Sequence, residues 1–201
     1  MLSLDTREHI LQTALSLFIT KSYKAVTMSD LEKATGLTKG AFYHYFKNKE
    51  EIFIEIINKY YLSDQLFDNK VVSKMKTLKE YIDYTIRYIE IKIEKIKDLT
   101  KNKLPDPYLF LLIIEAHVYY PNFNEKWIMH EVLVFNQWEK IVMMAKESGE
   151  IKAHLSTSII VENIIAIEMS MLRNIIKQEP FESRLSTLKL QYEQYYGLIK
   201  M

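Results

Sequence analysis

An all-α fold of about nine helices is what this sequence predicts, and three observations carry it. Glycine and proline number four each in 201 residues, too few for a sheet with tight hairpins. Apolar residues recur three and four apart along most of the chain, the period of one helix face. Thr, Asp or Asn precedes several of these runs, where a side-chain oxygen can accept the orphan N–H groups of a first turn.

Composition narrows the classes further. Apolar residues make up 48%, enough for a sizeable core in one domain or two small ones. The formal net charge is +1, so any nucleic-acid site must be a local basic surface rather than a global field. There is no cysteine, which excludes disulfides, thiolate catalysis and Cys-based zinc sites. The first residues, MLSLDTREHILQ, are charged where a secretory leader would be apolar. No apolar run reaches the ~18 residues of a membrane span. A soluble, cytoplasmic protein without a membrane partner is expected.

The elements follow in order. Ile10, Leu11, Ala14, Leu17 and Phe18 define the buried face of a first helix over residues 5–21, with Asp5 or Thr6 as its cap. Thr27 starts the second, with Asp30 three positions on in a weak form of the capping box. Gly36 ends it in left-handed geometry, Leu37 plugs the turn, and Thr38 caps the third helix, Lys39 to about Phe46. Asn48 caps the fourth, with Glu51 completing a capping-box arrangement. Ser63–Ser73 holds the end of that helix. Lys74–Leu104 is a long amphipathic segment, and Lys103–Pro107 the clearest loop, since proline cannot continue a helix. Tyr108–Tyr120 and Asn124–Ser148 follow, the latter closed by Gly149. Ser156–Gln178 and Phe181–Ile199 are the last two helices.

A helix, a glycine turn and a second helix with a polar and aromatic outer face form the helix-turn-helix pattern. Phe42 and Phe46, four apart, face inward. Gly40 and His44 lie opposite, flanked by Ala41 and Tyr43. Gly40 and Ala41 have almost no side chain, so the backbone could approach base edges closely, while Lys39 could reach guanine in the major groove. Tyr43, His44 and Tyr45 are further candidates for phosphate or base contact. Lys49 at a helix start opposes the helix dipole unless an anion such as phosphate sits nearby. Thr27, Ser29 and Thr38 are candidate phosphate donors, with plain capping an equal account of Thr27 and Thr38. An ordinary solvated helix face is the competing reading of the whole set.

The run Arg7, Ile10–Leu11, Ala14, Phe18, Tyr23, Thr27, Leu31, Gly36–Leu37, Gly40, Phe42–Tyr43, Phe46, Lys49 and Ile52 resembles the N-terminal domain of TetR-family transcriptional regulators. Glu32 and Thr35 stand where that family commonly has alanine, and Ser22 where it commonly has glycine. The resemblance implies a helix-turn-helix domain over residues 1–49 and a helical ligand-binding and dimerisation domain over 50–201. It also implies a homodimer on double-stranded, near-palindromic DNA, released as a repressor by a small-molecule effector. A ligand-binding helical dimer without sequence-specific readout is the alternative.

In the C-terminal part, Tyr84, Tyr88, Phe110, His117, Trp127, Phe135 and Trp138 are the candidate lining of an effector cavity, against plain core packing. Glu115 and His117 interrupt an apolar helix and are its candidate polar anchors, against a satisfied buried pair. Ser156–Gln178 is apolar around well over half its circumference, which requires burial on several sides. With the last helix it is read as a dimer interface through Ile164, Ile165, Leu172, Leu188, Tyr192 and Tyr195. The five histidines are scattered without metal-ligand spacing. No nucleophile elbow, dinucleotide fingerprint or P-loop occurs, so no catalytic residue, metal or cofactor is expected.

Overall fold

The computed structural model describes residues 2–63, 72–99, 107–176 and 179–201. Nine helices occur among them: α1 Leu2–Lys21, α2 Met28–Thr35, α3 Lys39–Tyr45, α4 Lys49–Tyr60, α5 Leu78–Leu99, α6 Pro107–Tyr119, α7 Phe123–Glu147, α8 Thr157–Ile176 and α9 Phe181–Ile199. Among the described residues the only extended pairing is one antiparallel bridge, Ile151 with Lys200. The fold is all-α, as predicted. Most of the expected loop at Lys103–Pro107 and most of the helix end within Ser63–Ser73 lie outside the described residues; Pro107 itself opens α6.

Local chemistry sets the helix ends. The Thr27 side chain accepts from Asp30 N, and the Asp30 carboxylate accepts from Thr27 N at 2.9 Å, so the capping box is complete despite its short acid. The Thr27 hydroxyl, donating at 2.6 Å, and the Thr27 N–H hold the Asp30 carboxyl below the ordinary carboxylate range. Gly36 adopts φ 69°, ψ 9°, the left-handed stop. Asn48 accepts from Glu51 N at 2.8 Å, while Glu51 reaches back to Lys47 N, one residue before the cap. The first helix departs from expectation: it begins at Leu2, so neither Asp5 nor Thr6 is its cap. Ser22, where the resembled family commonly has glycine, sits at φ 71°. A β-carbon in that region meets its own backbone, which is the physical reason to favour glycine there.

The chain divides into two compact units, Met1–Ser63 with Ile93–Trp127, and Asp64–Lys92 with Ile128–Met201. In the first, α1 packs against α2, α4 and α6. Ile10, Leu11, Ala14, Phe18, Leu31, Phe42, Phe46, Ile52 and Phe53 are buried in one cluster. Phe18 meets Phe53 edge-on at 5.8 Å. Burying such a ring stabilises by roughly 2–3 kcal/mol, so the three short head helices hold their places by packing rather than by length.

In the second unit, Trp138 is enclosed by Tyr81, edge-on at 4.6 Å, and Tyr192, stacked at 6.4 Å. The Glu150 carboxylate accepts from Leu78 N, Lys79 N and the Tyr196 hydroxyl, closing the start of α5. Ile164, Leu188 and Tyr192, expected to face a second subunit, are instead wholly buried in this unit's own core. Ile165 and Tyr195 are half-buried against it, and the Leu172 side chain lies outside the described residues. The periodicity showed that these helices are apolar on several sides. Which side their own chain would cover is a long-range matter. Among the described side chains, the large apolar residues left exposed are Ile159 and Met169 on α8 and Leu190 and Leu198 on α9.

Candidate nucleic-acid interface

The α2–α3 pair presents the candidate surface. Leu31 on α2 and Phe42 on α3 are fully buried, and Phe46 just past α3 is nearly so. These anchors turn Ser29, Lys39, Gly40, Ala41 and His44 outward, all exposed, with Tyr43 exposed to 36%. The Lys39 ammonium lies 5.9 Å from the Tyr43 ring, a loose i,i+4 stacking that leaves both polar ends in solvent. Tyr45 is half-buried and packs against the core, with its ring edge-on to His44 at 5.2 Å. Tyr45 therefore contributes mainly packing to this face. Thr27 and Thr38 are exposed, but each side chain accepts a backbone N–H of its own helix.

Gly40 is the most informative residue on the face. A β-carbon built there meets nothing within 4 Å. Internal packing therefore does not require glycine, and its backbone lies in ordinary helix. Glycine costs up to about 1 kcal/mol relative to alanine in a helix, and nothing inside the molecule offsets that cost. An external body approaching the α3 backbone would.

Lys49 is placed differently from the phosphate reading. Its ammonium turns inward, donating to the carbonyls of Tyr23 at 2.8 Å and Val26 at 2.7 Å, 4.3 Å from the Tyr23 ring. Burial lowers its pKa, opposed by the Glu115 charge. Glu115, in turn, accepts from Tyr23 N at 2.9 Å and Lys24 N at 3.2 Å. An anion on α6 and a cation on α4 thus clamp the segment between α1 and α2 from both polar sides. Glu115 is not an anchor in a cavity; it belongs to this clamp. Arg7 does comparable service at the end of α3, pairing with Glu55, stacking 4.4 Å over the Phe46 ring and donating to the Tyr45 carbonyl. Sequence reading placed neither Arg7 nor Glu115 in these roles, because their partners lie 38 to 92 positions away.

Residues 10–56 match the family described as bacterial regulatory proteins, tetR family. Over those residues the chain resembles the TetR family's N-terminal domain. The TetR segment is 42% identical over 52 residues to the HTH-type transcriptional regulator AcrR of Shigella flexneri, covering 26% of this chain and 24% of that protein. The match thus spans about a quarter of that regulator's length. The Transposon Tn10 TetC protein of Escherichia coli is 23% identical over 181 residues, 86% of this chain and 75% of that protein. A TetR-family transcriptional regulator from Cytophaga hutchinsonii shares the fold across 100% of this chain and 98% of its own, with TM-score 0.71 at 19% identity.

The residues expected to line one effector cavity are divided between the two units. Tyr84, Tyr88, Phe135 and Trp138 belong to the second unit, and His117 and Trp127 to the first. The Phe110 side chain lies outside the described residues. His117 is exposed, hydrogen-bonded to Asn124 and edge-on to Phe123. Among the described residues no group of three or more His, Asp or Glu could hold a metal ion, and no helix is long and apolar enough to cross a membrane.

Proposed function

We propose that this chain is a sequence-specific, DNA-binding transcriptional regulator of the TetR family, acting as a repressor that a small molecule releases from its operator. The exposed Gly40–Ala41 stretch of α3 carries the reading, because a bare helix backbone with no internal need for glycine suits close approach to a major groove. Lys39 and His44 supply base or phosphate contacts beside it, and Tyr43 its hydroxyl to a phosphate. Thr27, Ser29 and Thr38 supply further phosphate contacts at helix starts. Lys49 acts indirectly, through the clamp that orients α2. The functional division is residues 1–49 for reading DNA and 50–201 for ligand binding and dimerisation, and the protein works in the cytoplasm.

A single head reads one half-site. Two copies related by a two-fold axis would place two α3 helices about 34 Å apart, in successive major grooves of a near-palindromic operator. The second subunit packs on the exposed side of α8 and α9, using Ile159, Met169, Leu190 and Leu198 with the half-buried Ile165 and Tyr195 at its edge. A ligand shifts the dimer off DNA only by preferring the conformation that mis-spaces the heads.

Gly40→Ala tests the reading. The variant folds with equal or slightly higher Tm, by up to about 1 kcal/mol of stability, yet its affinity for a selected operator falls at least about tenfold. Operators are obtained by selecting from random duplexes at fixed salt. Equal affinity of the parent for selected and scrambled duplexes would leave a ligand-binding dimer without sequence readout.

A further inference from the structure

The second unit holds a small cavity of about 150 Å³, bordered by Tyr81, His130, Glu131, Trp138, Ile165 and Glu168. A space of that size holds about one six-membered ring. Two of its walls are carboxylates. Glu168 receives a 2.7 Å hydrogen bond from the Tyr192 hydroxyl at Oε1, and no other described group donates to it. Among the described residues no lysine or arginine nitrogen lies within 4.0 Å of Glu131 or Glu168. A carboxylate drawn out of water is ordinarily paired, as Glu115 is with two backbone N–H groups. Here the half-buried Glu168 and the exposed Glu131 border one cavity, and the rings of Tyr81 and Trp138 form its aromatic side.

We propose that this cavity is a binding site for a small organic cation, a single ring carrying an ammonium group, with Glu168 as its principal counter-charge and Glu131 as the second. A guest ammonium would relieve the repulsion between the two acids and replace the missing pairing. The aromatic lining favours an organic body over a hydrated metal ion, through apolar contact and cation–π attraction. The restricted volume selects one ring rather than several. Of the residues assigned to the cavity from sequence whose side chains are described, Trp138 borders it and the others do not. The proposal rests on reading the C-terminal helices as the effector-binding part, and it names the class of effector.

The test uses the full chain in titration calorimetry at pH 8, with benzylamine, benzyl alcohol and benzoate as probes of one shape and three charges. Benzylamine is expected to bind at least about tenfold tighter than benzyl alcohol, with benzoate weakest, the scale of one desolvated charge-assisted hydrogen bond. Glu168→Gln keeps the Tyr192 hydrogen bond and should erase the preference for the amine. Glu131→Gln, at an exposed position that does not threaten folding, should reduce it by a smaller factor. Equal binding of benzylamine and benzyl alcohol would overturn the proposal, as would a preference that survives both variants. A cation preference without any change in operator affinity would keep the site and sink the ligand-response reading above. Release from the operator by some other compound, with no preference for benzylamine, would keep that reading and sink the site.

Discussion

The Lys49–Glu115 clamp of the first unit and Glu168 of the second are met in opposite ways. In the clamp the partners are backbone groups: two carbonyls for Lys49, two N–H groups for Glu115. In the second, Glu168 is met by one tyrosine hydroxyl and faces a second acid, Glu131. Burial, opposed by the Tyr192 hydrogen bond and assisted by Glu131, pushes its carboxyl up to about 7. Charge in the first unit acts as a structural clamp that fixes the DNA-facing helices. The Glu168 charge is held at a cost to the empty protein, as expected of a group whose partner arrives from outside. A saturated polar network rigidifies, and an incompletely met one is available for binding.

That contrast can be broken at the clamp first. Glu115→Ala strands two backbone N–H groups and removes the negative charge that offsets the burial of Lys49, at a cost of about 3 kcal/mol. Thermal unfolding would register a large drop in Tm, and an unchanged Tm would show the clamp to be ornamental. Lys49→Met keeps the stem and deletes two charge-assisted bonds, with about 2 kcal/mol lost. If Lys49 instead contacts phosphate, its loss would weaken DNA binding and flatten its salt dependence while leaving Tm in place.

Glu168 should behave in the opposite sense. Its folded-state value is raised to about 7 from an ordinary 4.5. Between those values the folded state holds a proton that the unfolded chain has released, so stability falls as pH rises through this window. Below about 4.5 both states are protonated and the effect vanishes; above about 7 it is complete, on the order of 2 kcal/mol with partial solvent access taken into account. Glu168→Gln is therefore expected to be more stable than the parent at pH 8 and to lack this slope, measured by urea unfolding across pH. A parent whose stability is flat from pH 5 to 8 would remove the contrast between the units.

The smallest effect belongs to Ser22, at φ 71°. Ser22→Gly relieves left-handed strain and gives up the weak 3.4 Å bond from Ala25 N, with a net gain of about 0.5 kcal/mol visible as a modest rise in Tm. A fall would mean that the side-chain bond outweighs the strain.

Much of the head was legible because its signals are local. A cap, a left-handed glycine or an i,i+4 aromatic pair operates within a few residues, so Thr27, Gly36, Asn48, Phe42 and Phe46 declare themselves in the sequence. The exposed face of α3 follows from them, since burying Phe42 leaves Gly40 and His44 opposite. Tyr45 was misjudged only in degree: it lies at the edge of that face, and its ring went to the core.

The sequence alone determined the helical class, the order of the helices, the helix-turn-helix and the family resemblance, because each depends on short-range periodicity and turn chemistry. Tertiary structure decided where long-range partners fall. It turned Lys49 inward to carbonyls 23 and 26 positions away and gave Glu115 to a turn 91 and 92 positions distant. It assigned Ile164, Leu188 and Tyr192 to their own core. It also gathered Glu131 and Glu168 around one cavity that no spacing announces. A helix apolar on several sides records how much surface must be covered, and only the packed chain determines what covers it.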